Sequence, residues 1–194
     1  MRDDRVLLRF AGALLLCALL PASPAMSADE KPTPEQNRAQ LAKEVRATVA
    51  EYKKTDPGID RFFKKSAGYV VFPRAGKVGL ILGAGSGQGE VFERGRVIGT
   101  ATMTFGSIGL QAGVQEFSEV IFFKDHAAVQ RFKDNKFEFT ANASAVIVKS
   151  GASAGADYSG GVAVFTKPTG GAMLEASVGG QKFSFTPKGA ASKK

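Results

Sequence analysis

The sequence predicts an α+β chain that is mainly β, with one or two N-terminal amphipathic helices packed on a glycine-rich antiparallel β-sandwich or barrel-like sheet. Three observations predict it. A helix-start signature precedes apolar residues at helical spacing between residues 34 and 54. Short apolar runs separated by turn residues follow from Gly68 onward. Of the 23 glycines, 21 fall in that second stretch, where each would weaken a helix interior by about 1 kcal/mol relative to alanine. A chain of 194 residues, 44% of them hydrophobic, suits one domain with a real core.

The first 28 residues stand apart. Arg2, Arg5 and Arg9 precede an apolar run over residues 10–20 and a small-residue stretch over 22–28, the order of a secretory signal peptide with cleavage after Ser27 or Ala28. The run is shorter than the roughly 20 residues that span a bilayer. Cys17 lies within it behind Leu14, Leu15 and Leu16, whereas a lipid-modified cysteine wants a small residue before it. The expectation is an exported chain, periplasmic or secreted and peripheral to a membrane, whose mature part has no thiol chemistry.

Thr33 is the expected helix cap, Pro34 the first helical residue, and Gln36 the reciprocal partner three residues past the cap. Leu41, Val45, Val49 and Tyr52 then form an apolar stripe, predicting a helix over 34–54. Asp56, Pro57 and Gly58 end it, and Ile59, Phe62 and Phe63 predict a second short helical turn before Gly68. Strands are expected at 69–72, stopping at Pro73, and at 78–82, 90–92, 97–104, 107–115, 119–123, 137–148, 161–166, 172–178 and 182–186. A turn is expected at Arg94 and Gly95, and a short helix over 125–132 with Val129 and Phe132 on one side. Residues 150–161 are small and polar enough for a mobile loop. The chain divides into a signal segment (1–28), a helical segment (29–65), a β-rich core (66–186) and a basic tail (187–194).

Few residues offer catalytic or metal chemistry. The glycine-rich run at 83–89 invites a phosphate-loop reading, but residues 90–95 continue as strand and turn and no Gly-Lys-Ser/Thr follows, so a β-turn or bulge is expected. His126, the one imidazole, stands at a helix start, where a surface or capping role is the default. Asp157 and Tyr158 read as a turn carboxylate beside a packed ring. The carboxylate pairs Glu116 with Glu119 and Glu90 with Glu93 have no fixed separation in sequence, and no Gly-x-Ser-x-Gly elbow is present. No cofactor and no metal are expected, and the chain reads as non-enzymatic.

The clustered cations are more informative. Lys53, Lys54, Arg61, Lys64 and Lys65 flank Phe62 and Phe63, with Arg74 and Lys77 just beyond the first strand. Basic residues beside aromatics suit an anionic membrane surface, each Lys or Arg near it contributing about 1 kcal/mol. The competing reading has Phe62 and Phe63 fastening helix to sheet while the lysines face water. The net charge of +8 does not describe a uniformly basic protein. Residues 29–65 hold nine cations against seven acids, the tail adds three lysines, and residues 66–186 are nearly balanced, so nucleic acid is not an expected partner.

Residues 67–73 (Ala-Gly-Tyr-Val-Val-Phe-Pro), Lys77-Val78-Gly79 with residues 83–91, and above all residues 106–115 (Gly-Ser-Ile-Gly-Leu-Gln-Ala-Gly-Val-Gln) resemble the SYLF domain, as do residues 137–144 and the later aromatic-glycine hairpins. The resemblance covers about residues 35–186. It implies a helical segment on a β-rich domain and lipid binding through basic, amphipathic N-terminal residues, here Lys53, Lys54, Arg61, Phe62, Phe63, Lys64 and Lys65. Eukaryotic members are described as binding phosphoinositides and actin; for an exported chain the implied partners are anionic membrane lipids instead. The alternative is a structural or protein-interaction module contacting cell-envelope proteins.

Overall fold

The computed structural model of the chain describes residues 31–78, 82–108, 115–136, 145–170 and 180–190. The expected signal segment and the expected strand at 172–178 lie outside these, as do most of that at 137–148 and parts of those at 78–82 and 107–115.

Helix α1 (Pro34–Thr55) begins on the expected capping box: the Thr33 hydroxyl accepts from the Gln36 amide at 3.2 Å, and Gln36 Oε1 accepts from the Thr33 amide at 2.7 Å. Two donors that the first turn leaves orphaned are thereby satisfied. The apolar stripe buries Val45, Thr48 and Tyr52, with Leu41 and Val49 partly covered. A 3-10 turn (Pro57–Ile59) and helix α2 (Asp60–Lys65) follow, and Ile59 and Phe62 continue the buried face.

Strands β1 (Gly68–Val78), β2 (Leu82–Glu93), β3 (Arg96–Ile108), β4 (Gln115–Phe123), β5 (Val146–Ile147), β6 (Val162–Gly170) and β7 (Gln181–Pro187) form one sheet in the order β5-β6-β4-β1-β2-β3-β7. Neighbours are antiparallel except β5 and β6, which are parallel. The α+β class with helices on the sheet is as expected; the sheet is a single curled layer and not a two-layered sandwich. Pro73 does not end β1. The register shifts across it on both sides, so the proline sits in a bulge, where no ladder hydrogen bond is required of it. Residues 96–108 likewise run as one strand, and the turn joining β2 to β3 is Arg94 and Gly95, at φ 51° and 74°.

Contacts between distant strands show the curl. Strands β4 and β7 are four positions apart, a separation of about 19 Å in a flat sheet. Yet Gln181 Nε2 on β7 donates to Glu119 Oε2 on β4 at 3.2 Å. Phe72 of β1 meets Phe183 of β7 with ring centroids 5.8 Å apart, and Phe105 of β3 meets Phe117 of β4 at 5.6 Å. The inner face of this curl is one core cluster, containing Val70, Phe72, Val91, Met103, Ile121, Phe123 and Phe183. The outer face carries the second, where Val71, Val120, Phe122 and Phe165 receive Val45, Tyr52, Ile59 and Phe62 from the helical segment. Strand alternation assigns the two sets: Phe117, Glu119, Ile121 and Phe123 point inward, Val120 and Phe122 outward.

The glycine-rich run at 83–89 is neither turn nor phosphate loop but the body of β2, with Gly85, Gly87 and Gly89 all buried. A Cβ on Gly85 would fall within the Phe105 ring, and one on Gly89 would press on the Val71 carbonyl oxygen and lie 2.8 Å from Phe72 Cδ1. The missing side chains give these rings their room.

Helix α3 (His126–Lys133) starts with Asp125 Oδ1 accepting from the Ala128 amide at 2.8 Å, and it buries Ala128, Val129 and Phe132 in the inner cluster. Just past its end Asn135, at φ 57°, accepts from the Phe185 amide on β7 at 2.6 Å through Oδ1. The segment expected as a mobile loop contains a 3-10 turn (Ala152–Gly155) with Ser153 buried.

Gly89→Ala is expected to destabilise the fold by about 2 kcal/mol through overpacking against backbone. Gly155→Ala, which meets nothing within 4 Å, should stay within about 0.5 kcal/mol of the parent. Urea unfolding of the two variants checks this; equal midpoints would contradict it.

Candidate functional site

The helical segment is fastened at two points, once to the sheet and once to the 3-10 turn at Ala152–Gly155, and a cleft opens beside the second. Tyr52, fully buried, donates its hydroxyl to the Ser118 carbonyl of β4 at 2.8 Å, and burial pushes its pKa far above the usual phenol value. Asp56, also buried, uses both carboxylate oxygens: Oδ1 accepts from the Gly58 amide at 3.2 Å, and Oδ2 from the Ser153 amide at 2.6 Å. Charged acceptors make the stronger class of hydrogen bond. The second bond joins the end of α1 to the 3-10 turn at Ala152–Gly155, 97 residues away in sequence.

Arg61 completes this join from α2. Its Nη2 donates to the Ser153 carbonyl at 2.6 Å and to the Ala156 carbonyl at 2.8 Å, while the guanidinium carbon lies 4.7 Å from the Phe62 ring centroid. A cleft of about 440 Å³ opens beside it, lined by Arg61, Phe62, Lys65 and residues 154–158. Asp157 Oδ1 accepts from the Tyr158 amide at 2.7 Å, and the Tyr158 ring lies 5.5 Å from Phe62; burial raises the Tyr158 pKa. The cleft thus offers a guanidinium held in place by two backbone carbonyls, an ammonium and a phenol, over an aromatic floor.

The other sequence-derived positions divide by partner. Phe62 is only 4% exposed and packs on Phe122 and Phe165 as well as Tyr158, so it is core and has no ring to insert elsewhere. Phe63 is partly exposed; it meets Phe122 at 4.8 Å and Tyr69 at 5.2 Å, and Tyr69 stacks on Phe92 at 4.7 Å. Lys53 lies 4.9 Å above the Phe63 ring and 2.8 Å from Asp60 Oδ1, and Lys64 Nζ is 2.5 Å from Asp60 Oδ2. Hydrogen bonds from Lys53 and then Lys64 hold the Asp60 carboxyl below the usual range. Arg74 pairs with Glu44 at 3.2 Å. Lys54 and Lys65 are exposed, with no ion pair among the described residues, and Lys77 lies in β1 with its side chain outside them.

The competing acid-base readings do not assemble. Glu93 pairs with His126 at 3.2 Å and with Lys133 at 3.6 Å near α3, while Glu90 lines a separate groove beneath α1. Burial raises the Glu90 pKa, opposed by the Arg46 and Lys188 charges. Glu119 is enclosed in the inner core, apart from Glu116, which is partly exposed. Among the described residues no three His, Cys, Asp or Glu side chains gather as a metal would need. Sequence reading singled out Asp157 and Tyr158 but missed Asp56, Tyr69 and Phe92; the Asp-Pro-Gly sequence signalled a turn and concealed a carboxylate aimed at a distant loop.

Asp56→Ala leaves two buried or half-buried amides without their acceptor and is expected to cost about 2 kcal/mol. Hydrogen exchange should show residues 150–158 losing protection before β4 does; uniform loss across the chain would contradict the local join.

Two comparisons bear on this geometry. Residues 104–188 match the Ysc84 family, described as Las17-binding protein actin regulator. The matched stretch runs from within β3 through β7, so it contains the Ala152–Gly155 side of the cleft but not α1 or α2. Over 168 residues the chain is 29% identical to beta cell expansion factor A of Aeromonas veronii, covering 81% of this chain and 64% of that protein. The chain therefore spans less than two-thirds of that relative's length. Over residues 104–188, less than half of its length, the chain is thus similar to the Ysc84 (SYLF) family, a family of binding domains.

Proposed function

We propose that the chain is an exported, non-enzymatic lipid-binding protein that docks on anionic phospholipid headgroups through the cleft beside Arg61. The observation that carries this reading is the cleft's composition: Arg61 is tethered by the Ser153 and Ala156 carbonyls beside Lys65 and Tyr158, so a phosphate would meet one cation already in position and a second free to swing onto it. Lys54 supplies a further unpaired charge, and the partly exposed strip of Phe63, Tyr69 and Phe92 supplies apolar surface at the headgroup level. Lys53, Lys64 and Arg74 contribute less, because Asp60 and Glu44 already offset them. Phe62 acts as the floor of the site. Export rests on the order of charges and apolar residues over residues 1–28.

The second reading, a module binding an envelope protein, is favoured by the family description, which names a protein partner and an actin-regulating role. Co-sedimentation separates the two. The mature chain should pellet with phosphatidylglycerol-containing vesicles and remain in solution with phosphatidylcholine alone. Lys54→Gln and Lys65→Gln should each weaken binding about fivefold, the equivalent of about 1 kcal/mol per charge near the surface. Raising the salt from 0.1 to 0.5 M should weaken it further. Equal pelleting with both vesicle types, or with neither, would sink the lipid reading.

A further inference from the structure

The inner face of the curl holds a buried carboxyl that lipid docking does not use. Glu119 is fully buried, as is Thr166, its register partner on β6, and Gln181 on β7 is 3% exposed. Gln181 Nε2 donates to Glu119 Oε2 at 3.2 Å. Three oxygens in this group, Glu119 Oε1, Gln181 Oε1 and Thr166 Oγ1, have no hydrogen-bond partner.

Every element around Glu119 faces it with uncharged residues, among those described. On β1 they are Phe72 and Ala75, on β2 Gly85, Gly87 and Gly89, and on β3 Met103 and Phe105. Val164 and Thr166 come from β6, Phe183 accompanies Gln181 on β7, and α3 contributes Ala128, Val129 and Phe132. Tyr52, whose field also reaches Glu119, lies on the other face of β4 and stays neutral. An ionised carboxylate here would keep one hydrogen bond and no counter-charge, an arrangement costing several kcal/mol.

A proton resolves the arrangement. A neutral acid bearing its hydrogen on Oε1 becomes a donor as well as an acceptor, and Gln181 Oε1 is an acceptor without a donor. Acid and amide could then form a reciprocal pair, the acid accepting from Nε2, as observed, and donating to Oε1. One proton would satisfy two of the three orphaned oxygens.

We propose that Glu119 and Gln181 form a proton-dependent latch: the neutral acid-amide pair holds β7 against β4 across the curl, and loss of the proton frees β7 and opens the inner core. Between β4 and β7 lie four strand spacings, so the pair ties together parts of the sheet that no shared ladder joins. Burial, opposed by the Gln181 hydrogen bond, pushes the Glu119 carboxyl up from 4.5 to about 8. The folded state then holds the proton more tightly than the unfolded one. The latch's contribution is complete below the unfolded value of 4.5, declines as pH rises, and is lost through about 8.

Hydrogen exchange of the full mature chain from pH 5 to pH 9, corrected for intrinsic rates, tests this. Opening of residues 181–187 should rise at least about tenfold over that range, since linkage allows up to tenfold per pH unit, while residues 117–123 change less. Glu119→Gln, which reproduces both bonds of the neutral acid without a titrating group, should make β7 exchange independent of pH and leave this variant the more stable above pH 8. The carboxyl carbon-13 resonance of Glu119 in the parent chain gives a second reading and should titrate well above the ordinary carboxylate range. Identical pH profiles in parent and E119Q, an E119Q chain that fails to fold, or a Glu119 resonance that titrates below pH 5 would each overturn the proposal.

Discussion

The constraint on which most of the structure depends is the laying of aromatic rings directly onto strand backbone. Phe105 covers Gly85 and Phe72 covers Gly89, so over residues 85–89 the inner face of β2 is as thin as a polypeptide can be. A sheet whose interior strand carries side chains on both faces is held open by their bulk. With bulk removed from one face, the outer strands approach until rings three strands apart touch. The curl then defines everything else: an enclosed apolar interior capped by α3, and a convex outer surface on which the helical segment must find its seat.

That seat is made by hydrogen bonds of long sequence separation, not by the helix's own propensity. Tyr52 reaches the β4 backbone, while Asp56 and Arg61 together grip the segment around Ser153. The same grip determines the electrostatics of the outer surface. Arg61 is immobilised, Asp60 absorbs Lys53 and Lys64, and what remains of a seemingly uniform basic cluster is Lys65 beside a fixed guanidinium, with Lys54 exposed at the end of α1. A count of cations in sequence overstates the field a ligand would meet, because acids at helical spacing are counted elsewhere and act here.

Local signals were legible in the sequence and non-local ones were not. The capping box at Thr33, the stripe through Tyr52, the Arg94-Gly95 turn and the Asp125 cap are each written within a few residues and fold accordingly. Pro73 misled because a proline stops an ordinary strand, whereas a bulge accommodates it. The glycines at 83–89 misled for a related reason: their meaning depends on Phe72 and Phe105, which reach them only through pairing of β1 and β3 with β2. At the candidate site Arg61, Phe62 and Lys65 were visible as a basic-aromatic cluster. Nothing within a few residues of Ser153 indicated that its amide and carbonyl would anchor the opposite wall.

Asn135 shows how a residue that looks like an incidental left-handed turn after a helix can act across the fold. Its Oδ1 accepts from the Phe185 amide on β7, 50 residues away in sequence. The end of α3 is thereby tied to the last strand of the described sheet, so the helix that caps the inner cluster and the strand that carries Phe183 into it are held to one another as well as to the core.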